Sequence, residues 1–211
     1  WVNEYHIDGF HFDLMGLHDV ETMNLVRTEL DKIDPSIIVI GEGWYLHTEL
    51  PDDKKANQFN ARSMPRIAHF NDYIRDGLKG SVFEFSEPGW VNGDYTNANR
   101  VKGGIAGGIR YDEEICQFAA SPDQSVSYVE AHDNNTLWDK LLFTNPQDSD
   151  EIRRKMHKLA STVALTAQGI AFIHAGQEFM RTKGGDDNSY RSPDAVNQLD
   201  WVRKAENQDV V

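Results

Sequence analysis

The 211 residues fit one domain, and a hydrophobic content of 39% can fill a core. A formal net charge of −13, from 34 acidic against 21 basic residues, argues against nucleic acid and anionic membrane surfaces and suits a neutral polar ligand. The single cysteine, Cys116, excludes an internal disulfide framework and a cysteine-based zinc site. The chain begins at Trp1, and Trp1–Tyr5 reads as the end of a helix whose start is absent. The most apolar long window, residues 159–176, is interrupted by Ser161, Thr162, Thr166, Gln168 and Gly169, which makes it a poor membrane span. A soluble globular fold without membrane insertion is expected.

The stretch 8–18, preceded by Ile7 and holding Phe10, Phe12, Leu14 and Met15 and two bracketing glycines, forms a mostly apolar run of the kind that a strand covered on both faces requires. Val20, Met23, Val26, Leu30 and Ile33 then recur at three- and four-residue spacing and predict a helix, capped by Asp19 and stopped at Asp34-Pro35. The β-branched run 37–40 predicts the next strand, completing a strand–helix–strand unit with a parallel pair. Further strands are expected over 66–70, 125–131 and 170–174. Helices are expected near 97–104, over 137–143 and over 150–168, the last with Ile152, Met156, Leu159, Val163 and Ala167 inward. Residues 77–108 otherwise read as loop, as do 183–200. Alternating strands and helices predict an α/β fold, and five strands are too few for an eight-stranded barrel of roughly 250 residues. Residues 1–211 are therefore read as part of a larger α/β barrel.

Three acids occupy equivalent places, since Asp13, Glu42 and Asp133 each follow an apolar strand. Barrel strands end on one face, where function collects. Several carboxylates there, without a phosphate loop or a legible His-Asp metal cluster, point to glycoside hydrolysis, although phosphate and metal chemistry also use such acids. The flat face of Trp44 suits a sugar ring, and a core tryptophan fits the position equally well. Met15 reads as cleft lining or as simple packing. Glu178 and Arg181 are spaced to form an ion pair bracing the last loop, and His18 is placed near a cleft rim.

Gly9-Phe-His-Phe-Asp-Leu-Met-Gly16, Gly41-Glu-Gly-Trp44 and Tyr128-Val-Glu-Ala-His-Asp-Asn-Asn135 resemble, in order, the nucleophile, acid/base and third-carboxylate motifs of the alpha-amylase family of glycoside hydrolases. Residues 176–183, 188–194 and 197–201 resemble specifically the type I pullulanases of that family. The resemblance spans almost the whole chain. It implies a (β/α)8 TIM barrel of which only about strands 4 to 8 are present, without the first strands or flanking domains. It also implies cleavage of α-1,6 branches in pullulan, starch or glycogen-type glucans. Asp13 would then be the nucleophile, Glu42 the general acid and base, and Asp133 a binder of sugar hydroxyls, with His132 bonded to the same sugar. Asn188, Tyr190 and Asp194 would contact substrate from a loop. A retaining mechanism expects the working carboxyls about 5–5.5 Å apart.

His11 departs from the family pattern, which places arginine two residues before the nucleophile. Strand alternation puts 11 and 13 on one face, so a weakened, pH-dependent nucleophile is expected. The three carboxylates do not separate α-1,6 from α-1,4 cleavage or glycosyl transfer, and a non-catalytic α-glucan-binding protein is the alternative of another class. The chemistry requires no cofactor. Related enzymes often carry calcium, but no ligand set is legible here. Sequence leaves oligomeric state and compartment, cytoplasmic or secreted, open.

Overall fold

The computed structural model describes all of residues 1–211. The chain divides into two compact units. The first comprises Trp1–Asn71, Ala106–Val126 and Gln168–Ile170, and the second Asp72–Ile105, Ser127–Ala167 and Ala171–Val211. The boundary runs through two strands, where sequence alone suggests one undivided piece. No helix is long and apolar enough to cross a membrane.

The first unit holds residues of all five strands, in the order β1-β2-β3-β4-β5. These are β1 (Gly9–Phe12), β2 (Ile38–Gly41), β3 (Ala68–Phe70), β4 (Ser125–Ser127) and β5 (Ile170–Ala171). β1 to β4 pair in parallel, with Phe12 opposite Gly41, Gly41 opposite His69, and Phe70 opposite Val126. Helix α1 (Val2–Tyr5) precedes β1, and α2 (Val20–Asp31) makes the crossover to β2. Asp19 caps α2 as expected, accepting the Thr22 N–H at 2.7 Å. Of the predicted stripe, Met23 and Leu30 enter a core with Met15, Ile37, Val39, Ala56, Met64 and Ile67, while Ile33 lies past the helix end and is exposed.

The strands are shorter than the apolar runs suggest. Leu14 adopts φ 48° and the chain winds into a 3-10 turn over Met15–Leu17, so the first run leaves the ladder after Phe12. β4 stops at Ser127 rather than residue 131, and β5 at Ala171 rather than 174.

The second unit is helical, with α3 (Asp72–Lys79), α4 (Ala98–Ile105), α5 (Leu137–Thr144), α6 (Asp150–Thr166), α7 (Asp194–Asn197) and α8 (Trp201–Glu206). Helix α3 lies largely outside the predicted elements because its seam is only Ile74 and Leu78 among charged neighbours. Both are fully buried with Val101, Val129, Leu137, Leu141, Ala160 and Ala164. Gly104 of α4 makes this approach possible, since a Cβ there would run into Ile74. The inward face of α6 is turned one residue from the predicted one. Arg153, His157, Ala160 and Ala164 are buried, while Ile152 and Leu159 are exposed. The alanines let the helix pack closely, while His157 Nε2 meets the Gln177 carbonyl at 2.8 Å and Arg153 bonds the Asn145 carbonyl at 2.6 Å, leaving His157 Nδ1 and Arg153 Nε buried without a partner.

Candidate active site

The parallel register of β1 and β2 sets Asp13 and Glu42 side by side just past the ladder. Glu42 is tied to the end of β1 through three groups. Its N–H donates to the Phe12 carbonyl at 2.9 Å, and its carbonyl accepts the Gly16 N–H at 3.1 Å. Its carboxylate accepts the Leu14 N–H at 3.1 Å, an amide that the left-handed turn at Leu14 aims back at β2. Glu42 is only 3% exposed, whereas Asp13 is exposed. One carboxyl group is therefore enclosed, and the other lies at the solvent-exposed surface. His11 shares the face of Asp13, as alternation predicts, and packs edge-on against Phe70 with centroids 5.2 Å apart. Ligand atoms of His11, Asp13 and Glu42 all lie within 4.8 Å of one another.

Two glycines permit this closeness. A Cβ at Gly16 would collide with the Trp44 carbonyl oxygen, and one at Gly43 with the ring of His69. Trp44 is half-buried on the resulting loop. Of the two readings of Met15, the structure takes packing over cleft lining: it is fully buried in the core, its side chain against Gly41.

His132 and Asp133 lie in the second unit, both more than half exposed, with His132 Nε2 3.6 Å from Asp133 Oδ1. Sequence reading missed what holds their loop. Glu130, 1% exposed, accepts the Leu137 N–H at 2.6 Å and pairs with His174 Nδ1 at 2.9 Å. Burial pulls its carboxyl upward, but those bonds and the charges of His174 and His157 prevail and hold it below the usual range. The ammonium of Lys183 adds a bond to the His132 carbonyl at 2.9 Å. The available signal was the one charged residue in the run 125–131. The expected Glu178–Arg181 pair does not form. Glu178 accepts the Gly176 N–H, while Arg181 bonds His174 Nε2 at 3.1 Å and the carbonyls of Ala175 and Asn197. Asn188, Tyr190 and Asp194 are all exposed in the second unit, Tyr190 with Arg191 5.0 Å from its ring centroid.

The structure also brings together a His-Asp-Glu set that sequence did not reveal. His11, Asp13 and Glu42 offer three ligand atoms at a spacing that a cation could bridge. Such acidic sets are common without an ion, and we assign them none. Enclosed beside open carboxylate, close together at strand ends, is an arrangement suited to proton transfer to an oxygen and attack on a carbon.

No protein-family model matches the chain. A pullulanase of Bacillus subtilis is 45% identical over 204 residues, covering 97% of this chain and 28% of that protein. The crystal structure of a pullulanase from Paenibacillus barengoltzii complexed with maltotetraose, a D470A mutant, superposes with a TM-score of 0.98 at 57% identity, over 100% of this chain and 33% of that one. A pullulanase from Anoxybacillus sp. LM18-11, also complexed with maltotetraose, gives 0.94 at 51%, over 100% and 30%. The chain thus spans about a third or less of the length of these relatives. Along its whole length the chain is similar, in sequence and in fold, to part of these pullulanases.

Proposed function

We propose that the chain is the part of a retaining debranching hydrolase that carries its three working carboxylates, taken from about strands 4 to 8 of a (β/α)8 barrel. The observation carrying the mechanism is the closeness of Asp13 and Glu42. One oxygen of each carboxylate lies within 4.8 Å of one on the other, a closeness that supports direct attack; the carboxyl groups of an inverting pair stand roughly 6.5–9.5 Å apart to admit a water. Asp13, the open carboxylate, attacks the anomeric carbon of an α-1,6-linked branch and forms a glycosyl ester. Glu42, protonated at the start, gives its proton to the departing 6-oxygen. It then takes a proton from the water that attacks the ester, which returns Asp13 as carboxylate and releases the sugar with its configuration kept. Asp133 holds sugar hydroxyls as the ring flattens, with His132 beside it. The similarity to pullulanases over the whole chain supports the α-glucan substrate and the branch linkage.

The experiment uses the longest polypeptide that carries this chain. Reducing-sugar release is compared on pullulan and amylose, and the anomer first released is read by NMR. Preferential release from pullulan, the α anomer first, loss of at least about a thousandfold in Asp13→Asn and Glu42→Gln, and insensitivity to chelators are expected. Release of the β anomer overturns the retaining mechanism. Equal cleavage of amylose favours an α-1,4-acting enzyme, and glucan binding without turnover favours a binding protein.

A further inference from the structure

Beyond Trp44, the loop that carries Glu42 continues into a group of rings that the reaction scheme leaves unused. Tyr45 is 46% exposed, yet it is fixed from several sides. Its hydroxyl donates to Asp52 at 3.0 Å, and the rings of His47 and Phe59 meet it edge-on at centroid distances of 5.8 and 5.9 Å. The Lys55 ammonium lies 4.5 Å from its centroid and is itself bonded to Asp52 at 2.8 Å. Lys55 is only 2% exposed, so the cation takes the inner side of the ring and leaves aromatic surface outward. Phe59 is 77% exposed. A single bare phenylalanine is ordinary on a protein surface; a second ring held beside it by a buried lysine and an exposed aspartate needs a reason.

The backbone ties this group to the acid. Gln58, next to Phe59, donates its N–H to the Gly43 carbonyl at 2.9 Å, and the Trp44 backbone rests on Gly16. Counting Cα steps from Glu42 through Gly43 and Gln58 puts the Phe59 backbone within about 15 Å of the acid. In the proposed reaction the acid protonates the leaving oxygen, so the departing chain lies on its side of the bond. The C–H faces of a pyranose match an aromatic surface, and its hydroxyls can reach the polar rim of Asp52 and His47. We infer that Tyr45 and Phe59 form a stacking subsite for a glucose ring of the leaving chain. This inference rests on the hydrolase reading and names the part of the substrate that the loop after Glu42 selects.

The test compares Tyr45→Ala, Phe59→Ala and the double variant with wild type, in the longest polypeptide carrying the chain, on two substrates. One is a branched α-glucan; the other is α-maltotriosyl fluoride, whose leaving group is too small to occupy a sugar subsite. The expected result is a fall of about tenfold in the ratio of kcat/KM for glucan to that for fluoride in the double variant, carried by KM. Tyr45→Phe, which keeps the ring and loses the tether to Asp52, restores at least half of that ratio. Equal losses on both substrates would show a merely structural role and overturn the subsite, as would no loss on either. A wild type that turns over neither substrate overturns the hydrolase reading itself, and the leaving-chain role with it.

Discussion

His11 reaches the same small volume as Asp13 and Glu42, so its charge acts directly on the candidate nucleophile. An imidazole is about half-protonated only near pH 6.5, whereas a guanidinium stays charged and can bond both carboxylate oxygens at once. Replacement His11→Arg should therefore raise kcat about tenfold at neutral pH, the worth of one charge-assisted bond, and flatten the pH profile above 6.5. Unchanged turnover would refute that role. His69 is a different case. It is wholly buried on β3, neither ring nitrogen has a hydrogen-bond partner, and burial pushes its pKa from 6.5 down to about 3. Folded, it stays neutral; unfolded, it takes a proton below about pH 6.5. The stability it permits is thus complete above pH 6.5 and is lost as pH falls toward 3, by about 1.4 kcal/mol per pH unit. Urea unfolding of His69→Leu between pH 7 and 4 should show a slope shallower than wild type by that amount; identical slopes would refute the assignment.

Among the elements, the decisive contacts are those between loops at the ends of β1, β2 and β3. Gly43 can follow Glu42 only because His69 of β3 leaves room for a hydrogen and nothing more. Gly43→Ala should displace the acid by a few tenths of an ångström or more and lower kcat by about a hundredfold, since catalytic geometry tolerates little error. Adding His69→Ala, which clears the space, should recover at least a tenth of wild-type kcat. If the double variant is no better than the single, the collision with His69 is not the cause. At the far end of the β1 loop, Asp19→Ala removes the cap of α2 and should cost about 1 kcal/mol, measured as a shift in Tm, without touching KM.

For the whole molecule, sheet order places β1 at an edge, with β2 as its neighbour and with the exposed side chains of Leu25 and Ile33 on and after α2. Unpaired strand edges and apolar surface drive association. The 211-residue chain expressed by itself should therefore elute as oligomers in size exclusion with light scattering and release no sugar from pullulan. A monodisperse monomer with pullulan-cleaving activity would disprove this. The strongly acidic balance has a simpler consequence. The neutral glucan proposed as substrate makes no ion pairs, so KM in the longer polypeptide should change less than about twofold between 50 and 500 mM salt.

Sequence alone determined the five strands with α2, α4, α5 and α6 among them, the cap at Asp19, and the shared face of His11 and Asp13, but not α3, α7 or α8. These are matters of periodicity and neighbouring residues, which a chain carries in one dimension. It did not determine where ladders end, because Leu14 enters a left-handed turn to aim one amide at Glu42, a partner 28 residues away. Nor did it decide between cleft and core for Met15, or reveal that α6 turns a histidine and an arginine inward and that Glu130 holds the loop of Asp133. In each of these a polar group or a volume is matched by one distant in sequence, and only packing in three dimensions decides which residue supplies the match.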